Sequence, residues 1–213
     1  MTVTVITTRI ATMARWKPGA KDRLQEAALT LFAANGFEQT TAAEIAQAVG
    51  LTERTFFRHF SDKREVLFHG QDRFEQAFLD GMAAAPPEAP PWDLVARALQ
   101  GAATMFPQER REHSRLRQSV IDRNPALQER EAHKMSTLAV TIVDALHQRG
   151  IADPAARLAA DSATTVFGIA FLQWIGEGEE RSMATITADV LNELRSLTAG
   201  APPSGHAGSS RAG

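Results

Sequence analysis

The chain has 213 residues, 44% of them hydrophobic and 23% charged, which suffices for one ordinary domain or a small domain beside a larger one and excludes a disordered chain. It has no cysteine, so disulfide frameworks, thiolate metal sites and cysteine nucleophiles are all excluded, and a cytoplasmic setting is the simplest expectation. The net charge of −2 is uneven: residues 1–65 hold nine Lys/Arg against seven Asp/Glu, an excess that permits nucleic-acid binding there without arguing for it.

The N-terminus, "MTVTVITTRIATMARWKPG", lacks the basic-then-apolar order of a signal peptide. Met13 opens a more natural start, and residues 1–17 read as a disordered arm in which Arg15 and Lys17 either seek phosphate or stay solvated. Beyond it nearly every segment has a helical period, and no strand pair stands out. The first helix spans Ala20 to Asn35, with Leu24, Ala27, Leu31 and Ala34 as its inner stripe and Gly36 past its end. The second opens with a capping box, Thr41 to Glu44, turns Ala42, Ile45 and Val49 inward and stops at Gly50. Thr52 caps a third helix, Glu53 to Phe60, and Ser61 caps a fourth running to about Met82.

A proline-rich break, "AAAPPEAPP" (83–91), precedes helices over Trp92–Phe106 and Gln108–Asp122. Asn124-Pro125 and Asp153-Pro154 open two more, ending near Arg149 and Ile175, and a last helix covers Ser182 to Ala199. The tail, 200–213, is small, polar and glycine-rich, and is expected to be disordered. No run of about 18 apolar residues occurs, so no membrane partner is expected. The uncharged run Ser162–Gly176 suits a buried or dimerising helix. The expectation is an all-α fold of nine helices: three short ones over 18–65, then longer ones over 66–199.

The stretch "GLTERTFFRHFSDK" (50–63) carries the chemistry. Helix, glycine-led turn and short helix form the helix-turn-helix pattern. Phe56 and Phe60 are four apart and share one side of the third helix, while Arg54 and Arg58 share another. Phe57 is left near the exposed edge. A small bundle with a merely solvated charged face is the competing reading; the ordered conjunction of capping box, Gly50, Leu51 and two further caps favours DNA binding.

Residues 27–68 resemble the DNA-binding domain of the tetracycline-repressor (TetR) family of bacterial regulators, on Gly36-Phe37, Thr40-Thr41, Ile45-Ala46, Gly50-Leu51, Phe56-Phe57-Arg58-His59-Phe60 and Lys63. Phe57 departs from the family pattern, where a tyrosine donates to a DNA phosphate; Phe57 can only stack or pack against sugar. The resemblance implies a double-stranded DNA operator contacted by Thr41, Thr52, Glu53, Arg54, Thr55, Phe57, Arg58, His59 and Lys63. Thr41 and Lys63 look like phosphate contacts at helix starts, which favour anions. Arg54 is the first choice for reading a base, since arginine can hold guanine O6 and N7 together, with Thr55 and Arg58 next. Glu53 would accept from cytosine N4 or repel phosphate.

One reader binds one half-site, so a homodimer is expected. The last two helices supply its apolar surface: Phe167, Ile169, Phe171, Leu172, Trp174 and Ile175, with Val190, Leu191, Leu194 and Leu197. An effector pocket is expected among Phe74, Phe78, Met105, Phe106, Leu116, Val120, Met135, Leu138, Ile142, Val166 and Phe171, though such stripes also build plain cores. The C-terminal region resembles domains that bind acyl-CoA-like ligands, on Arg117 through Pro125-Ala126-Leu127, Asp153-Pro154, Arg157-Leu158-Ala159-Ala160 and Trp174. Arg111, Arg115 or Arg117 would then meet CoA phosphates, or form a solvated face with Glu109, Glu112 and Asp122. A fourth helix of about 20 residues, roughly 30 Å, would link Lys63 at the DNA to Phe74 and Phe78 at the pocket.

The resulting reading is a ligand-released repressor responding to a small apolar or acyl-CoA-like effector, with a regulator of drug efflux as the nearest alternative. A helical acyl-binding module without DNA function and an enzyme are the rivals from other classes. The six histidines form no metal-spaced pair and no catalytic motif occurs; only His69 and Asp72 fall a turn apart. No catalytic residue, metal or cofactor is expected.

Overall fold

In the computed structural model, residues 19–199 are described; the arm expected over 1–17 and the tail over 200–213 lie outside them. Nine α-helices follow in order among the described residues: α1 Ala20–Asn35, α2 Ala42–Ala48, α3 Glu53–His59, α4 Gln71–Ala83, α5 Pro91–Ala103, α6 Arg111–Asp122, α7 Pro125–Gln148, α8 Ala155–Trp174 and α9 Met183–Thr198. Short 3-10 turns, Arg64–Phe68 and Gln108–Arg110, precede α4 and α6.

Local chemistry sets the early boundaries. Thr41 and Glu44 form the full capping box: the Glu44 amide donates to Thr41 Oγ1 (3.2 Å), and the Thr41 amide donates to Glu44 Oε2 (2.7 Å). Thr52 Oγ1 accepts from the Thr55 amide at 3.2 Å and starts α3. Gly50 sits at φ 72, a left-handed turn that a side chain would strain. On α1 the buried stripe is Leu24, Ala28, Leu29 and Phe32; Ala27 and Leu31 are only half-buried and Ala34 is exposed. The expected stripe was displaced because α1 is covered on two sides, by α2 and by α6.

The fourth helix differs from expectation. Asp62, not Ser61, caps the segment: its Oδ1 accepts from the amides of Arg64 (2.7 Å) and Glu65 (3.2 Å), which tightens the chain into a 3-10 turn. Gly70 then takes φ 93 and breaks the helix before α4 starts. The supposed continuous rod is therefore a 3-10 connector and a 13-residue helix of about 20 Å. The His69-Gly70 pair carried the break signal.

Helix α4 lies hard against α5. A Cβ on Gly81 would fall 2.2 Å from the Arg97 carbonyl oxygen, and one on Gly101 2.1 Å from that of Ala77. Only glycine allows backbones this close. Arg149, past the end of α7, donates to the carbonyls of Met82 (2.6 Å) and Pro86 (2.9 Å), placing a cation where the end of α4 has free acceptors.

Two apolar clusters result. The first gathers α1, α2, α3 and the connector (Phe32, Phe37, Ile45, Phe56, Phe60, Leu67) together with Val120, Ile121 and Leu127 from α6 and α7. The second gathers α4, α5, α7, α8 and α9 around Phe78, Leu99, Leu138, Phe167 and Trp174. Helix α8 is long and apolar enough by composition to cross a membrane, but it packs against α5, α7 and α9 and buries nine of its residues, as a core helix does.

Candidate DNA reader and effector cavity

Helix α3 is anchored by its rings. Phe56 is fully buried and Phe60 nearly so, their centroids 5.4 Å apart. That leaves Glu53, Arg54 and Arg58 exposed on the outer side and Thr55 half-buried. Phe57 is 51% exposed, edge-on to Phe56. His59 is half-buried, with Nε2 enclosed and without a partner among the described residues. The hydroxyls of Thr52 and Thr55 bond each other at 3.0 Å.

Two expected phosphate contacts have structural partners. The Thr41 hydroxyl donates to Glu44 Oε2 at 2.9 Å, so it must be re-aimed to meet a phosphate. The hydrogen bonds from Thr41 hold the Glu44 carboxyl below its usual pKa. Lys63 Nζ donates to the Phe37 carbonyl at 2.7 Å and lies 4.2 Å above that ring, leaving two ammonium protons for other acceptors.

The connector joins reader to C-terminal helices. Gln25 of α1 donates to the His69 carbonyl at 3.3 Å, and Arg117 of α6 donates from Nε to the Leu67 carbonyl at 3.1 Å. Glu65 is held by Arg130 and by Lys134, the latter at 3.3 Å. Burial would raise the Glu65 carboxyl, but the Arg130 hydrogen bond and the charges of Lys134 and Arg130 bring it below its usual range. One turn apart on α1, Asp22 meets His69 and Glu26 meets His113, each at 3.3 Å.

A cavity of about 860 Å³ opens between this connector, the first half of α1 and helices α4, α6, α7 and α8. Of the residues expected there, Phe74, Met105, Phe106, Met135 and Phe171 line it. Phe78, Leu138, Ile142 and Val166 do not; all four are buried in the second cluster. Val120 belongs to the first cluster, beneath the reader, and Leu116 faces solvent. Helical spacing placed these residues on helices that converge, but each helix turns one face to the cavity and another to its neighbours. Phe167, expected at the dimer surface, instead stacks on Phe171 and sits 4.8 Å from Phe74 in the cavity wall; its four-residue spacing from Phe171 carried that signal. Arg73, Arg110, Lys134 and the His69 and His113 pairs also line the cavity and were missed.

The basic residues expected to meet phosphate divide. Arg111 is buried over Trp174 and donates to the Arg181 carbonyl at 2.5 Å. Arg115 donates to the carbonyls of Ile175 (2.6 Å) and Gly176 (3.0 Å). Only Arg117 of the three reaches the cavity. Among the described residues no group of three or more His, Asp or Glu is arranged to hold a metal ion.

Residues 24–69 match the family model of bacterial regulatory proteins of the tetR family, and residues 89–200, more than half of the chain, match that of the MftR C-terminal domain. The transcriptional regulator TcmR of Streptomyces glaucescens is 39% identical over 80 residues, 38% of this chain and 35% of TcmR. The repressor KstR2 of Rhodococcus jostii is 32% identical over 89 residues, 42% of this chain and 39% of KstR2. The matched stretch thus spans well under half the length of these relatives. Among solved structures, Bacillus subtilis FadR in complex with stearoyl-CoA superposes with a TM-score of 0.57 at 16% identity, over 81% of this chain and 96% of that one. Thermus thermophilus FadR in complex with lauroyl-CoA gives 0.51 at 19%, over 91% and 100%. Identities this low carry the fold alone; the two family models carry the assignment, and the chain belongs to the TetR family of bacterial regulatory proteins.

Proposed function

We propose that the protein is a homodimeric repressor that holds a palindromic operator through α3 and lets go when an effector with an apolar chain, of the acyl-CoA type, fills the cavity. Such a protein works in the cytoplasm and performs no catalysis. The observation that carries the reading is the cavity's position: Leu67 and Phe68 of the connector and Gln25 of α1 form part of its wall. A ligand there touches the segment on which the reader is mounted. It shifts operator affinity by the difference between its own affinities for the two arrangements, and by no more.

Supporting features lie at both ends. Arg54 and Arg58 stand exposed on a helix pinned by Phe56 and Phe60, suited to a major groove. Thr41, Lys63 and the start of α3 flank it as phosphate contacts that fix register without reading sequence. At the far end, Leu158, Ile169 and Leu172 of α8 and Leu197 of α9 are exposed apolar side chains on the face proposed for dimerisation. The two FadR structures of the same fold were solved with acyl-CoA ligands, which supports the effector class. A mobility-shift titration with DNA from upstream of the gene tests the whole: a shifted complex released by stearoyl-CoA or lauroyl-CoA is expected. Failure to shift any palindrome in that DNA removes the repressor reading, and a shift insensitive to acyl-CoA but released by neutral drugs favours efflux control.

A further inference from the structure

The cavity is not uniformly apolar. Phenylalanines 74, 106, 167 and 171 line it together with five cationic side chains, Arg23, Arg73, Arg110, Arg117 and Lys134, and three carboxylates, Asp22, Glu26 and Glu131. Most of those cations are accounted for. Lys134 goes to Glu65 at 3.3 Å, and Arg117 shares itself between Glu131 (3.0 Å) and the Leu67 carbonyl. Arg73 reaches Asp22 only at 3.8 Å, with its side chain 63% exposed, and that carboxylate already faces His69.

Arg23 and Arg110 both lack a carboxylate partner; Arg23 donates to the Val49 carbonyl at 3.4 Å, at the end of α2, whereas Arg110 stands among the like charges of Arg73 and Arg117. Arg110 Nη1 donates to the Met105 carbonyl at 3.0 Å, and no carboxylate of the described residues comes within 4.0 Å of it. It sits exposed at the cavity rim on the turn that opens α6. There the helix dipole already disfavours a cation and favours an anion. Packing around the guanidinium, and then the like charges of Arg73 and Arg117, push its pKa below the ordinary arginine value. Three cations gathered at the mouth of an aromatic cavity, one of them lacking any carboxylate partner, form half of an ion pair.

We propose that Arg110, flanked by Arg73 and Arg117, is an anion subsite at the cavity mouth, so that the effector is an anionic amphiphile: a carboxylate or phosphate group at the arginines, with its apolar chain against the phenylalanines. The inference rests on the effector-cavity reading above and narrows it, since neutral hydrophobic compounds lack the group that Arg110 awaits. Because Arg117 also holds the Leu67 carbonyl, an anion drawing on its guanidinium acts directly on the connector.

The test is calorimetric titration of the full-length protein, below micellar concentrations, with laurate, dodecyl phosphate, lauroyl-CoA and neutral dodecanol. Wild type should bind the anionic compounds at least tenfold more tightly than dodecanol, and raised salt should erode that preference. Arg110→Gln should lose on the order of tenfold in affinity for the anionic compounds, as for a charge-assisted hydrogen bond, with dodecanol unchanged and Arg110→Lys intermediate. The ranking of laurate against dodecyl phosphate and lauroyl-CoA tells whether carboxylate or phosphate is the natural group. Should Arg110→Gln fail to fold, Arg73→Gln at its exposed site must show the same selective loss. Equal affinity of wild type for laurate and dodecanol, or unchanged anion affinity in both variants, overturns the subsite and leaves the cavity reading intact. Absence of binding by any of the four compounds overturns the cavity reading, and the subsite with it.

Discussion

Arg117 Nη1 meets Glu131 at 3.0 Å across the α6–α7 junction, and the same guanidinium holds the Leu67 carbonyl through Nε. One side chain thus joins two C-terminal helices to the connector of the reader. Arg117→Met keeps an apolar side chain of similar reach but removes the guanidinium over Phe68 and leaves Glu131 with Gln118 alone, at 3.4 Å. We expect a stability loss of about 1–3 kcal/mol and an operator complex that forms but no longer responds to effector. Denaturant unfolding and mobility shifts with and without acyl-CoA check both halves.

The two basic contacts proposed for the reader should separate by type. Arg54→Ala is expected to cost about 1–3 kcal/mol at one operator position and relax preference there. Lys63→Ala should weaken all sequences alike and reduce the salt slope by about one. Because Lys63 also holds the Phe37 carbonyl, its loss should lower thermal stability, whereas Arg54→Ala should leave it unchanged. Operator titration at several salt concentrations, beside thermal melts, distinguishes the roles.

Acidification should loosen the joint. Burial lowers the pKa of His69 from its ordinary 6.5; Asp22 opposes this, and Lys21 and Arg73 add to it. The unfolded chain therefore binds the proton more readily than the folded one. This contribution to stability is full above pH 6.5 and is lost as pH falls through 6.5 toward the lower folded value. Denaturation midpoints measured from pH 7.5 down to 5 should fall, and fall less in His69→Gln.

The face proposed for dimerisation is exposed, so a charge there should break the dimer. Leu172 is 57% exposed, on the same side of α8 as Ile169. Leu172→Glu should give a folded monomer by light scattering, with operator binding weakened at least a hundredfold through loss of the second half-site. A dimer that persists in Leu172→Glu and in Ile169→Glu places the interface elsewhere.

The reader was legible in the sequence because its determinants are local. Thr41 with Glu44, Thr52 before α3, Gly50 at the turn and the Phe56–Phe60 spacing each act within a few residues. The cavity was legible only as a set of helices. Whether Phe78 or Phe74 faces it depends on where α5 and α8 lie, and α7 turns Met135 to the cavity but Leu138 and Ile142 to the core. Arg110 left no pattern at all, since its isolation from carboxylates is a property of the folded surroundings. Gly70 was the readable signal passed over: a glycine beside His69 ends the helix that apolar periodicity alone would have continued.

The close approach of α4 and α5 has a mechanical outcome. With Gly81 and Gly101 bringing backbone against backbone, the two helices interlock at those points and resist sliding, so the pair is expected to move as one stiff beam. Under the proposed mechanism, strain from a filled cavity is expected to pass into the few residues before Gly70 rather than into sliding of that beam. In the proposed dimer a conformational signal is then a rotation at a joint, and seven residues, 64–70, would set the angle between the two DNA-reading heads, rather than the pitch of a long lever.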